Sequence, residues 1–157
     1  MRDAEVRWDK EQVILRLRDA TQKGINAAAH QVEAHAKVNI QQNKQIDTGF
    51  MLNSGYTVTP TSSGFISAGA RAFNARSEKY FGKRVSRRQR QRVNVAERLL
   101  GDEAQLPRGE VAAAVAFAAS YAVWQEIRNS FLYRALTQVA AEAGGIIERV
   151  AKGEMHD

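Results

Sequence analysis

Residues 9–42 read DKEQVILRLRDATQKGINAAAHQVEAHAKVNIQQ, and the fold turns on them. Asp9 suits an N-cap, with Gln12 three residues on as the reciprocal partner of a capping box. Trp8 and Val13 occupy the two positions of a hydrophobic staple. Ile14, Leu17, Ile25, Ala28, Val32, Ala36 and Ile40 then recur at near-helical spacing. The pattern predicts one amphipathic helix from about Lys10 to Gln42, with Gly24 a weak point costing roughly 1 kcal/mol relative to alanine. A helix this long with one apolar stripe must lie across something, most simply a sheet.

The strands come next. Asp47-Thr48-Gly49 ends the helical region as a turn, with glycine taking positive φ. Tyr56 and Val58 alternate with Thr57 and Thr59, Pro60 to Gly64 reads as a turn, and Phe65 to Ala68 reads as a second strand. Val111, Ala113, Val115 and Phe117 alternate with small residues as a third. From Phe131, the positions Leu132, Ala135, Leu136, Val139, Ala143, Ile146, Ile147 and Val150 form a second helical stripe. Ser130 or Asn129 is its expected cap, and Gly144-Gly145 a place to kink or fray. The fold class expected is α+β: a small, mainly antiparallel sheet packed against long N- and C-terminal helices, with a basic insertion between strands.

Composition sets the bounds. A chain of 157 residues, 44% hydrophobic and 25% charged, reads as one globular domain. Without cysteine there is no disulfide framework and no thiolate metal site, which suits a reducing cytoplasm. No apolar run approaches the ~20 residues needed to cross a bilayer, and MRDAEVRWDK lacks a signal-peptide core. The expectation is a protein made and used without export and without a membrane partner.

The net charge of +6 is uneven. From Arg71 to Arg108 there are eleven Lys/Arg against four acids, so that segment carries +7 and the rest of the chain −1. Within this insertion, about residues 71–109, Ser86 to Leu100 suits a basic helix and Gly101 to Gly109 a loop. Arg84, Arg87, Arg88, Arg90 and Arg92 make an arginine density suited to phosphate or carboxylate contact. Only Tyr80 and Phe81 lie near for base stacking, so contact with a protein partner is favoured over nucleic acid.

Signs of catalysis are thin. Asp47-Thr48-Gly49 spells the aspartic-protease triplet, but it follows a polar run and precedes Phe50, which favours a turn. His30, Glu33 and His35 do not make a zinc helix motif, because histidines five apart diverge by about 140°. Glu126 has no histidine or second acid near it in sequence. No catalytic residue, metal ligand or cofactor is expected, and the chain does not read as an enzyme.

The order of pieces is more informative. A long helix, Asp47-Thr48-Gly49 with Leu52 and Ser54, strands, Tyr121-Ala122 with Glu126, and Phe131-Leu132 with Ala135 opening a last helix follow one another. This order resembles the tail-completion, or head–tail joining, proteins of long-tailed bacteriophages, a family that includes minor tail proteins. The likeness spans about residues 10–150 apart from the basic insertion. Ile127-Arg128 stands where the family pattern has an aromatic and a glycine, and Ser130 where it has a proline.

The resemblance implies a structural virion protein at the head–tail junction: a homo-oligomeric ring between connector and tail tube. It also implies that Tyr121 and Trp124 pack the third strand's end against the helices. Glu126 would cap a turn or meet a neighbouring subunit, and Phe131 and Leu132 would anchor the last helix on the first. The alternative is a basic nucleic-acid-binding accessory protein that works through the arginine block.

Overall fold

Asp9 caps as its position predicts: its carboxylate accepts the Gln12 amide at 3.2 Å, and α1 runs Lys10–Gln42. Trp8, the other half of the staple, lies outside the described residues. The computed structural model describes residues 9–44, 49–81, 100–107 and 110–154, without the side chains of 77–81. Asp47, Thr48 and the block from Arg84 to Arg92 therefore lie outside them. After α1 come α2 (Phe50–Asn53), β1 (Gly55–Thr59), β2 (Ser62–Ser63), α3 (Phe65–Phe81), β3 (Ala114–Phe117), α4 (Ala122–Asn129) and α5 (Phe131–Glu154).

The architecture is α+β, with a three-stranded antiparallel sheet in the order β2-β1-β3. Register sorts the sheet's side chains onto two faces, since neighbours along a strand alternate. Thr57 pairs with Val115 and Gly55 with Phe117, and this face meets α1 and α5. Tyr56 pairs with Ala116 and Val58 with Ala114, and they face the opposite way. There Phe65 and Ala68 of α3, with Leu100, Ala104 and Leu106, cover them. The expected two layers are three, which is why all five residues of β1 are buried.

Helix α1 packs chiefly on α5, which runs antiparallel to it, and on the sheet second. Gly24 marks the closest approach: a Cβ there would stand 2.8 Å from Ile147 Cα. Near the other end Asn39 Nδ2 donates to the Phe131 carbonyl at 2.9 Å. Ala20, Gly24, Ala29, Val32, Ala36 and Ile40 form the buried stripe. Ile14 and Leu17, expected on that stripe, are exposed. Counting back from Gly24 and on from Ile147 sets Leu17 level with Glu154, where α5 ends, so α5 does not extend beside the first turns of α1 among the described residues.

Three strand and helix expectations change. Phe65 to Ala68 opens α3 rather than a strand, because Ala68 and Ala72 are buried four apart while Ile66 is solvent-facing. The hairpin is shorter, joining Thr59 to Ser62 across Pro60-Thr61, and Thr59 Oγ1 accepts the Ser62 amide at 3.2 Å. The third strand begins at Ala114, since Ala112 is held by a side chain instead of by β1. Gln22 Nε2 donates to the Ala112 carbonyl at 2.8 Å, and the Ala112 amide donates back to Gln22 Oε1 at 3.1 Å. Helix α5 passes Gly144 and Gly145 without a break. No helix among the described residues is long and apolar enough to cross a membrane.

The flanks of the basic insertion belong to the fold. Arg71 and Arg76 sit in α3, which packs on α2 and β1. Leu100 bridges Ala119, the Gly101 amide donates to the Ala118 carbonyl at 2.6 Å, and the Ala104 amide donates to the Tyr56 hydroxyl at 2.8 Å. Burial pushes the Tyr56 phenol up from its ordinary value, with the nearby Glu103 charge adding to the rise.

Candidate functional site

Of the residues singled out in the sequence, Ala122, Phe131 and Ala135 belong to one apolar cluster with Phe50, Met51 and Ala119, and Leu52, Tyr121 and Leu132 pack against it. Gly49 takes φ +71° and opens α2, where its carbonyl accepts both the backbone and side-chain amides of Asn53 at 3.0 and 2.8 Å. A side chain there would be strained in the left-handed region, which is why glycine holds this turn. Phe50 is buried, and its ring lies 6.3 Å from that of Tyr121. Leu52 is half-buried against the same core. Ser54 is fully buried: its hydroxyl donates to the Met51 carbonyl at 2.7 Å, and its carbonyl accepts the Ala118 amide at 2.9 Å. The Gly49–Ser54 turn is thereby tied to the end of β3.

From β3 the chain enters α4 through Ala119 and Ala122, both buried. Glu126 then reaches forward to α5. Its Oε2 accepts the Leu132 amide at 2.8 Å and its Oε1 accepts the Tyr133 amide at 2.9 Å. A helix start leaves amides without intrahelical partners, and a carboxylate there also meets the positive end of the helix dipole. Glu126 therefore caps α5 from the preceding helix, taking the role expected of Ser130 or Asn129. Ser130 instead forms the joint in the left-handed region, φ +49°, with its amide donating to the Glu126 carbonyl at 2.7 Å. Proline cannot adopt that φ, so this joint excludes it.

Phe131 and Ala135 are fully buried, and the Phe131 ring stands edge-on to Phe117 at 5.0 Å. Leu132, expected to be buried with Phe131, is only partly covered and lines an apolar groove. Trp124 does not pack the strand end as expected, since it is 69% exposed. The reason lies in the face α4 turns inward. Ala122, Gln125, Glu126 and Asn129 are its covered or half-covered positions, which leaves Val123, Trp124 and Ile127 in solvent.

The sequence reading missed that outward face. The signal was present in the i, i+4 pair Val123 and Ile127 beside Trp124, but an apolar helical face is ordinarily assigned to the core. The groove was missed as well. It lies between α1, α5 and β3, holds about 400 Å³, and is lined by apolar residues alone.

Elsewhere, His30 and His35 are exposed on α1. Among the described residues no group of three or more His, Cys, Asp or Glu could hold a metal ion. Glu33 ties α1 to the sheet, accepting from Lys37 and, at 2.7 Å, from the Thr57 hydroxyl. Burial alone would raise the Glu33 pKa, but the bonds from Lys37 and Thr57 and the Lys37 charge outweigh it and hold the carboxyl below its ordinary value. Its Oε2 thus serves the joint between helix and strand, while its Oε1 is held by Lys37 of the same helix. No protein-family model, curated protein or solved structure matches the chain.

Proposed function

We propose that this chain is a structural subunit of the head–tail junction of a long-tailed bacteriophage. In this reading it is a tail-completion or neck-ring protein that joins the tail tube to the connector by assembly, without catalysis. One observation carries the proposal. Residues far apart in sequence, Tyr121, Ala122, Phe131 and Ala135, pack into or against one apolar cluster, Ser54 and Glu126 bond the turns beside it, and α4 turns Val123, Trp124 and Ile127 to solvent. A carboxylate occupied by two backbone amides is a structural part, and a solvent-facing apolar helix face belongs to a protein that works by contact.

The test is genetic and visual. Deleting the gene from its phage should leave filled heads and finished tails unattached under the electron microscope. Adding the purified protein to that lysate should restore joined, infectious particles. Normal joined particles from the deletion would overturn the proposal.

The +7 segment favours a second reading, a nucleic-acid-binding accessory protein. DNA affinity falling steeply with salt, as counterion release requires, together with normal tail joining in the deletion, would favour that reading instead.

A further inference from the structure

The sheet ends in an open edge at β3. The register of β1 and β3 sets Ser54 opposite Ala118, and the Ala118 amide donates to the Ser54 carbonyl at 2.9 Å. Bonded and unbonded pairs alternate along an antiparallel ladder. Tyr56 and Val58 therefore exchange bonds with Ala116 and Ala114, while Val115 and Phe117 turn their amides and carbonyls away from β1. Among the described residues no strand pairs with that side, since the order is β2-β1-β3. Such an edge is a template for one more strand.

The helix layer leaves room for that strand. Helix α1 meets both β1 and β3, whereas the groove beside it is walled by α1, α5 and β3 and by no residue of β1. Helix α5 therefore lies to the outer side of β3. Packed helices stand roughly 8–10 Å apart and strands about 4.8 Å, so α5 overhangs the position next to β3. Ala113 and Val115 of the edge line the groove together with Leu132 and Leu136. A strand added there sets every second side chain towards the groove and the others on the opposite face.

A segment with that pattern precedes α1, outside the described residues. Residues 4–8 read AEVRW: Ala4, Val6 and Trp8 alternate with Glu5 and Arg7, the period of a strand with one apolar face. The edge of their own subunit is out of reach. Ala112 is held by Gln22, which at 1.5 Å per helical residue is about 20 Å along α1 from Asp9. Val115 lies farther still, since its partner Thr57 bonds Glu33. At about 3.4 Å per extended residue, Val6 lies at most about 10 Å from Asp9 and Ala4 about 17 Å. Neither comes level with the edge of its own β3.

We propose that this segment of one copy adds to the outer edge of β3 in a second copy as a fourth strand. Ala4 and Val6 turn towards the groove, Trp8 stands at its margin, and Glu5 and Arg7 face the other way. Main-chain bonds to Val115 and Phe117 supply the affinity, and the alternate side chains set the register. Segment and edge are different surfaces, so the contact is heterologous, and repetition closes a ring or extends a filament according to the rotation. Closure into a ring rests on the junction reading above; the strand contact does not.

Two full-length variants and their mixture test this. Ala4→Asp with Val6→Asp spoils the segment and leaves the Asp9 cap in place. Val115→Pro removes an amide that points away from β1, the one place in a sheet where proline is tolerated. Circular dichroism melting checks folding, and Ala113→Pro is the milder edge variant should Val115→Pro fail to fold. By sedimentation, each variant alone should self-associate at least roughly thirtyfold more weakly than the parent chain. Mixed one to one, they should form a heterodimer that grows no further, because one intact segment meets one intact edge. Hydrogen exchange at the Val115 and Phe117 amides should be slow in the assembled parent and fast in the segment variant. A parent chain that stays monomeric up to millimolar concentration would overturn the proposal. So would variants that associate like the parent, a mixture that stays monomeric, or edge amides that exchange alike in parent and segment variant. Copies that assemble through this edge yet fail to restore tail joining would sink the junction role alone and leave the contact standing.

Discussion

Ser130 sets the joint between α4 and α5 in one backbone angle. At φ +49° and ψ 42°, it pays the left-handed penalty of a side-chain-bearing residue, about 1 kcal/mol. Glycine carries no such penalty, so Ser130→Gly should stabilise the fold by at most about 0.5 kcal/mol after its greater unfolded-chain freedom is counted. Ser130→Pro should cost about 3 kcal/mol or more, since it forbids the angle and removes the amide that bonds Glu126 at 2.7 Å. Urea unfolding of the pair decides the matter, and a proline variant as stable as the parent would mean that the α4–α5 joint is not built this way. That Glu126 is structural was legible from its lack of catalytic neighbours. Its target was not, because a capping box is local to one helix whereas this carboxylate reaches six and seven residues forward, across a turn.

Helices and strands were legible in proportion to how local their signals are. Helix α1 carries its own cap and a stripe many turns long, and its bounds agree with the sequence reading. Phe65 to Ala68 is too short to separate a period of 2 from one of 3.6, and only with Ala72 and Phe73 does the helical spacing of α3 emerge. The faces of α4 were illegible for a different reason: burial depends on what the rest of the fold presents to a helix, and the helix's own pattern does not record that. Gly24 shows the same limit. Helix propensity alone says that Gly24→Ala should stabilise α1 by roughly 1 kcal/mol. The packing says the reverse, because the new Cβ would stand 2.8 Å from Ile147 Cα and 3.1 Å from its Cβ, neither of them the far end of a flexible chain. Pushing α1 and α5 apart costs typically 1–3 kcal/mol, so the net change should be a loss of stability, read as a lower thermal midpoint. A raised midpoint would mean that the two helices cross elsewhere.

For the whole molecule the unbalanced quantity is charge. A segment of +7 joined to a remainder of −1 leaves the chain with a surplus of six positive charges, all of it owed to that segment. Arginine is rarely buried without a partner, and its guanidinium pairs best with carboxylates or phosphates presented in a fixed geometry. On the proposed function, an acidic face of an adjacent ring would supply the first and channel DNA the second. The scarcity of aromatic residues beside Arg84, Arg87, Arg88, Arg90 and Arg92 favours the protein partner. Replacing Arg87, Arg88, Arg90 and Arg92 with serine should therefore leave the thermal midpoint of the isolated protein as it was, since four arginines supply no apolar side chain to a core. Attachment of tails to heads should fall at least about tenfold, the usual consequence of deleting several charge-assisted contacts from one interface. The loss should be partly mimicked for the parent protein by raising the salt during joining, because exposed charges farther apart than a Debye length are screened. Normal infectious yield from the quadruple variant would show that the block takes no part in joining, whereas a variant that fails to form rings would place the arginines in the subunit contact itself.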